Sequence, residues 1–266
     1  MIFVRGGGDL ASGVVYRLYR AGIPVVVAEL SQPLVVRRLV SFAETVYRGS
    51  FQVEGVAAQL VPDARAALEV LSNRIVPVLV DPHGDSRMEL KPLAIVDGRM
   101  TKRPPDLEMD AAPLMIGLGP GFTAGENCHA VIETNRGHAM GRVIWDGPAE
   151  SDTGIPEAVS RFRSERVLRA PAEGILVGKV EIGTRLSAGQ PVAEVSGAVV
   201  AAPFDGVLRG LVHPGVAVRK GMKIGDLDPR GDPAYCTRIS DKSLAVGGGV
   251  LEAILTRPDI RQKLWT

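Results

Sequence analysis

The chain begins MIFVRGGGDLASGVVYRL (residues 1–18), and this stretch decides how the first half is read. IFV is a continuous apolar run and GGGDLA (6–11) is a glycine turn. Leu10, Ala11, Val14, Val15 and Leu18 then recur at the spacing of one helical face. Gly6-x-Gly8-x-x-Ala11 fits the G-x-G-x-x-G/A fingerprint, in which two glycines let backbone approach a pyrophosphate and a small third residue lets helix and strand pack closely. Gly22-Ile23-Pro24 stops the helix, PVVVAEL (24–30) returns as a second strand, and Glu29 at its end is placed to bind ribose hydroxyls. Asp9 opens the alternative: a carboxylate at the helix N-terminus takes the amides and the dipole that a phosphate would use, leaving a structural turn. Arg37 and Arg38 follow the second strand, either reaching a phosphate or lying on a solvated helix face.

Outward from there, IVPVLV, LAIV, PLMIGLG and HAVIET alternate with helix-like stretches to about residue 150, as parallel strands covered on both faces would. After about residue 165 the texture changes to short β-branched pieces and many glycines. APAEGILVGKVEIGTRLSAGQPVAEV from Ala170 aligns without a gap on APFDGVLRGLVHPGVAVRKGMKIGDL from Ala202, with Gly174, Gly178, Gly183 and Gly189 over Gly206, Gly210, Gly215 and Gly221. This repeat resembles the barrel-sandwich hybrid of biotinyl and lipoyl carriers. The connection EVSGAVV holds no lysine, so no biotin or lipoyl attachment is expected. Ser240 or Asp241 caps a C-terminal helix that Arg257-Pro258 ends. The expected fold is therefore an α/β Rossmann-like domain (1–165), a small all-β barrel-sandwich-hybrid module (166–230) and a C-terminal helical segment (231–266) packing back on the first domain.

Composition narrows the function. Lys and Arg total 31 against 30 Asp and Glu, a balance that offers no field for nucleic acid or a membrane surface. No apolar run reaches the roughly 18 residues of a membrane span, and the two cysteines, Cys128 and Cys236, are far apart, as suits a reducing, cytoplasmic compartment. No metal-ligand spacing and no G-x-S-x-G elbow is present. A second glycine turn, GLGPGFTAG (117–125), follows an apolar strand, and Gly117, Gly119 and Gly121 either hold an anion or make a sharp bend. ETNRGHAMGR (133–142) gathers Glu133, Arg136, His138 and Arg142, with His138 the one candidate general acid or base and an ordinary surface residue as its alternative.

Taken together, VRGGGDLASGVVYRLYRAG, VVRRLVSFAETVYRGSFQVEGV, PLMIGLGPGFTAG, VIETNRGHAMGRV, TGIPE, RVLRAPAEG and ISDKSLAVGGGVLEAIL resemble the YqeB family. The resemblance implies a cytoplasmic accessory factor that helps mature a selenium-dependent molybdenum hydroxylase, with the hydroxylase as client protein. It carries over Gly6, Gly8, Asp9, Ser12 and Gly13 as first-loop positions, then Gly117, Gly119, Gly121, Arg136, Gly137 and His138, with Lys102 as a basic position that either meets an anionic ligand or makes a surface salt bridge. Three readings follow: a factor binding a small nucleotide-bearing ligand, either NAD(P) or a molybdopterin nucleotide; a non-catalytic scaffold for the apo-hydroxylase; or an NAD(P)-dependent oxidoreductase.

Overall fold

A computed structural model describes residues 1–101, 103–152, 162 and 164–265. The chain divides into two compact units. The first holds Met1–Pro33, Ser41–Asp152 and Ile239–Thr266, and the second holds Leu34–Val40 and Thr153–Arg238.

In the first unit the strands are β1 (Ile2–Arg5), β2 (Val25–Glu29), β3 (Ser50–Val53), β4 (Val56–Val61), β5 (Val76–Val80), β6 (Ala94–Asp97), β7 (Met115–Leu118), β8 (Thr123–Ala124), β9 (Ala130–Ile132), β10 (Val143–Ile144) and β11 (Gly147–Pro148). The helices are α1 (Asp9–Arg20), α2 (Thr45–Arg48), α3 (Ala64–Ser72), α4 (Arg87–Leu90), α5 (Asp241–Thr256) and α6 (Pro258–Arg261). Among the described residues nine strands form one sheet in the order β10-β9-β7-β6-β1-β2-β5-β4-β3, and β8 pairs with β11. Neighbours run parallel from β9 to β4, whereas β10 and β3 are antiparallel edges. Phe3, Val26, Leu79, Ile95, Met115 and Val131 form one buried cluster with Ala64 and Ala67 of α3. Each such apolar side chain contributes about 1.5–3 kcal/mol on full burial.

Among the described residues, crossover helices of useful length follow only β1 and β4. The links from β2, β5 and β6 pass through single turns, the four-residue α2 and α4, and the turn Met109–Ala111. The helix that packs beside α1 comes from the far end of the chain. Ser240 caps α5 by accepting from the Ser243 amide (3.1 Å), and Pro258 opens α6 after it. Two helices approach this closely only where side chains are missing. A Cβ on Gly13 would run into the Ser243 carbonyl, and one on Gly247 into the Gly13 carbonyl. The Ser243 hydroxyl donates to Asp9 at 2.9 Å across the same contact.

In the second unit the strands are β12 (Val167–Arg169), β13 (Gly174–Gly178), β14 (Arg185–Leu186), β15 (Pro191–Val195), β16 (Ala198–Ala201), β17 (Gly206–Leu211), β18 (Ala217–Val218) and β19 (Lys223–Asp228). They form two antiparallel sheets, β12-β19-β17-β14 and β16-β15-β13-β18. The two sequence copies exchange their middle strands, since β14 of the first pairs with β17 of the second and β18 of the second pairs with β13 of the first. The strip Leu34–Val40 lies on this unit: Arg38 donates to the Leu211 carbonyl (2.7 Å) and Arg37 to those of Tyr235 and Arg238 (3.0 and 2.9 Å). At Gly210 a Cβ would sit 2.7 Å from the Val36 carbonyl oxygen.

These arrangements correct the expected fold class. The chain builds a mixed parallel and antiparallel sheet together with several antiparallel sheets, in place of a Rossmann-like domain followed by a barrel-sandwich-hybrid module and a C-terminal helix. A short apolar run reads alike in a parallel strand and in a hairpin. Residues 50–61 form the hairpin β3–β4 because Glu54 and Gly55 both adopt positive φ (44° and 82°), the mirror-image turn that suits strand twist.

Gly247→Ala is expected to lower stability by about 1–3 kcal/mol through overpacking against α1. Gly248→Ala, with nothing within 4 Å of its Cβ, is expected to raise stability by about 0.5–1 kcal/mol through helix propensity. Urea midpoints of the two variants check this pair of opposite signs.

Candidate functional site

Chain direction changes between β1 and β6. From β1 the chain moves to β2 on one side, and from β6 to β7 on the other, while β1 and β6 pair in register from Ile2↔Ala94 to Arg5↔Asp97. In open sheets with parallel strands such a switch leaves a crevice beyond the carboxyl ends. Its walls here are residues 6–9 after β1 and 98–101 after β6. A Cβ on Gly98 would lie 2.9 Å from that of Ala11, so α1 starts hard against the end of β6.

The glycine turn is held by its own chain. Gly6 donates to the Ala28 carbonyl (2.7 Å), and Gly7 donates to Glu29 Oε1 (2.6 Å). The Leu30 amide takes Glu29 Oε2 at 2.8 Å. Glu29 is only 8% exposed. Burial pushes its carboxyl above the ordinary range, and the Gly7 and Leu30 amides offset only part of that. The Gly7 carbonyl accepts from the Ala43 amide and the Ser12 hydroxyl, both at 2.9 Å, and Ser12 Oγ accepts from the Phe42 amide at 2.9 Å. A Cβ on Gly7 would sit 2.8 Å from the Ala43 nitrogen. Gly8 is the N-cap of α1, extended (φ −70°, ψ −175°) and without a side-chain cap. The N-cap position thus falls to Gly8, and Asp9, in the first turn of α1, accepts from the Ser243 hydroxyl.

Charge at the crevice comes from residues the sequence reading missed. Arg5, 1% exposed, donates to Asp97 (3.3 Å), which is 2% exposed, and to Asp106 (2.6 and 3.2 Å). Arg99 donates to the same two carboxylates, at 2.6 Å to Asp97 and 2.7 Å to Asp106. Arg5 and Arg99 hold the Asp106 carboxyl well below the usual range, although burial opposes this. Burial works against the charge on Arg99, but Asp97 and Asp106 raise its pKa above the ordinary arginine value. The signal was present in the sequence as two apolar runs, each ending in a charge of opposite sign, IFVR and AIVD.

The other expected site residues scatter. In the second glycine turn the Phe122 ring fills the space beside Gly117, Thr134 that beside Gly119, and the Arg103 carbonyl oxygen lies 2.8 Å from where a Gly121 Cβ would be. This turn meets the loop after β6 at Arg103. Arg136 pairs with Asp241 at the start of α5 (2.6 and 3.0 Å). Arg37 and Arg38 are buried in the second unit, and His138 lies in a separate groove. Lys102 and the segment TGIPE (153–157) lie outside the described residues. Burial pushes the Cys128 thiol up to about 11, which leaves it a poor nucleophile at neutral pH. Among the described residues no three His, Cys, Asp or Glu side chains are grouped to hold a metal, and no helix is long and apolar enough to cross a membrane.

No family model matches the chain. Over 255 residues, 96% of its length, it is 46% identical to "Uncharacterized protein YqeB" of Escherichia coli (strain K12), which supports the YqeB family for this chain. The chain spans about half the length of that relative, 47%. Solved structures with some likeness include a succinylglutamatedesuccinylase/aspartoacylase from Rhodobacter sphaeroides (17% identity, 32% of this chain and 30% of that one, TM-score 0.22). Another is an aspartoacylase family protein from Mesorhizobium loti (10% identity, 85% and 83%, TM-score 0.27).

Two predictions follow from this geometry. Asp97→Asn leaves the buried Arg5 short of one carboxylate and is expected to lower stability by about 3–5 kcal/mol, whereas Arg5→Met with Asp97→Leu restores most of the loss; urea denaturation measures both. His129 Nδ1 accepts the Met115 amide (3.0 Å), and burial, then Arg257, lower its pKa from 6.5. The unfolded chain thus takes up a proton near pH 6.5 that the folded chain refuses. Stability should fall as pH drops from 6.5 toward the lowered value, and His129→Asn should flatten that slope in a pH series of melts.

Proposed function

We propose that this chain is an accessory factor in maturing a selenium-dependent molybdenum hydroxylase, and that it binds a nucleotide-bearing ligand at the crevice between the ends of β1 and β6. The maturation role rests on the resemblance in the motifs quoted above. The binding role rests on one observation: β1 and β6, whose chains leave in opposite directions, are adjacent and are each followed by a glycine, Gly6 and Gly98. The N-terminus of α1 opens there with no side-chain cap, and amides at a helix start attract an anionic group. In this reading the ligand's phosphate meets the amides at Gly8 and Asp9. Gly7 has no part in it, because its amide is held by Glu29.

A second reading, a non-catalytic scaffold for the apo-hydroxylase, draws on the self-packing of the glycine turn. Glu29, Phe42 and Ala43 already take up the polar groups of Gly7 and Ser12. The same engagement weakens the case for an NAD(P)-dependent oxidoreductase, since Glu29 is buried and each of its oxygens already accepts a backbone amide, which reduces its capacity to accept from a ribose.

Calorimetry with NAD, NADP, CTP and a pyranopterin nucleotide separates these readings. The ligand reading expects binding by at least one of them, weakened about tenfold or more by Gly8→Val, a loss of at least 1.4 kcal/mol. The backbone at Gly8 is one that a side chain adopts without strain. Absence of binding to all four, with a stable complex of the protein and the apo-hydroxylase, would establish the scaffold instead.

A further inference from the structure

Arg5 ends β1 and Arg99 follows β6, and their guanidiniums converge on one carboxylate, that of Asp106. Each grips both of its oxygens. Arg5 Nη1 and Nη2 donate to Asp106 Oδ1 and Oδ2 at 2.6 and 3.2 Å, and Arg99 Nη2 and Nη1 donate to the same two atoms at 2.7 and 3.1 Å. Paired N–H donors on a planar fork are how a guanidinium recognises a carboxylate, and here two forks face the same one. The place lies beyond the carboxyl ends of β1 and β6, where open sheets bind ligands.

The two forks are fixed, whereas the group they hold comes from outside the sheet. Arg5 is 1% exposed, its Nη2 also donates to the carbonyls of Pro82 and His83 (3.4 and 3.2 Å), and a Cβ on Gly84 would lie 3.1 Å from its Nε. Buried Asp97 accepts from Arg99 Nε and Nη2 (3.0 and 2.6 Å), which sets the second fork. Asp106, by contrast, is 49% exposed. It arrives on the segment from Gly98 to Glu108, which has no helix or strand among its described residues. Met100 near the start of that segment takes a φ of 55°, a left-handed conformation strained for a residue with a side chain. Pro104 and Pro105 stiffen the approach to Asp106, so the segment has a strained root and a rigid tip.

We propose that Arg5 and Arg99 form a seat for the carboxylate of a small molecule, and that residues 99–108 are a strap whose Asp106 fills the seat until such a ligand displaces it. The seat stands whether or not a phosphate meets the amides at Gly8 and Asp9, so it goes beyond the nucleotide reading. Asp97 makes it selective for carboxylate over phosphate. Its Oδ2 accepts from Arg5 Nη1 (3.3 Å) and from Arg99 Nη2, the two nitrogens that also hold Asp106 Oδ1, so a third negative oxygen on the ligand would meet a buried carboxylate. A tethered group competes at an effective concentration on the order of millimolar. Removing Asp106 therefore unmasks the seat.

The test is a titration with sodium acetate, at an ionic strength held constant with chloride, followed by the amide resonances of Gly98, Arg99 and Leu107. Asp106→Ala is expected to bind acetate about tenfold or more tightly than the parent, with the Gly98 and Arg99 amides shifting. In the parent, saturating acetate should move the Leu107 amide toward its position in Asp106→Ala, because both release the strap. Adding Arg99→Met to Asp106→Ala should abolish the gain, and adding Arg99→Lys, which keeps the charge and loses the fork, should weaken it. Both changes spare the buried Arg5, and the second keeps the cation should the first fail to fold. Gly8→Val should leave acetate binding unchanged, which separates this seat from the phosphate contact proposed above. The proposal is overturned if Asp106→Ala binds acetate no better than the parent, if inorganic phosphate binds Asp106→Ala as tightly as acetate, or if neither Arg99 variant weakens acetate. Loss of acetate binding in Gly8→Val would move the anion to the start of α1 and overturn it as well.

Discussion

The contact between α1 and α5 is the constraint on which the first unit depends. Few crossovers in this sheet carry a helix of useful length, so a stretch of parallel strands would lack cover if it relied on its own connections. Cover beside α1 comes instead from a helix more than two hundred residues away in the chain. Gly13 and Gly247 let the two backbones meet, and Val246 and Val250 are then buried completely. Glycine is unfavourable inside a helix, by about 0.5–1 kcal/mol relative to alanine. At Gly247 and Gly249 that penalty is offset by packing that no larger residue permits, whereas Gly248 faces open space and is not explained by it.

The same economy of space runs through the carboxyl edge of the sheet. At Gly7, Gly98, Gly117, Gly119 and Gly121 the volume of an absent side chain is taken by another part of the protein. A glycine-rich loop after a strand is thus ambiguous in a specific physical sense: close approach of backbone to a phosphate and close approach of backbone to backbone demand the same residue. The neighbours decide between them, and at Gly7 they are Glu29 and Ala43. Toward β6, Arg5 and Arg99 each donate to both Asp97 and Asp106, which ties the loop end at Asp106 to the ends of β1 and β6.

The second unit shows how a repeat becomes a structure. Each copy keeps two of its strands in one sheet and gives its middle strand to the other copy. Neither copy can complete a sheet alone, and Arg37 and Arg38, which looked like phosphate ligands beside a switch point, are spent on carbonyls of this unit. Their burial follows from the path of the chain between Pro33 and Ser41, which nothing in the local pattern of LVVRRLV announces.

Local periodicity and punctuation were enough to place the opening strand, turn and α1, to expose the repeat at Ala170 and Ala202, and to narrow the cap of α5 to Ser240 or Asp241. Each of these depends on neighbours a few residues apart, where backbone geometry and side-chain spacing act directly. Only the tertiary structure decided the strand order, the hairpin at the sheet's edge, the pairing of Arg5 with Asp97 and the engagement of Glu29 by Gly7. Those depend on which distant segments come into contact. A sequence pattern says which face of an element is apolar; it does not say which backbone will fill the space that a glycine leaves, because that is set by close packing between parts of the chain that share no local pattern.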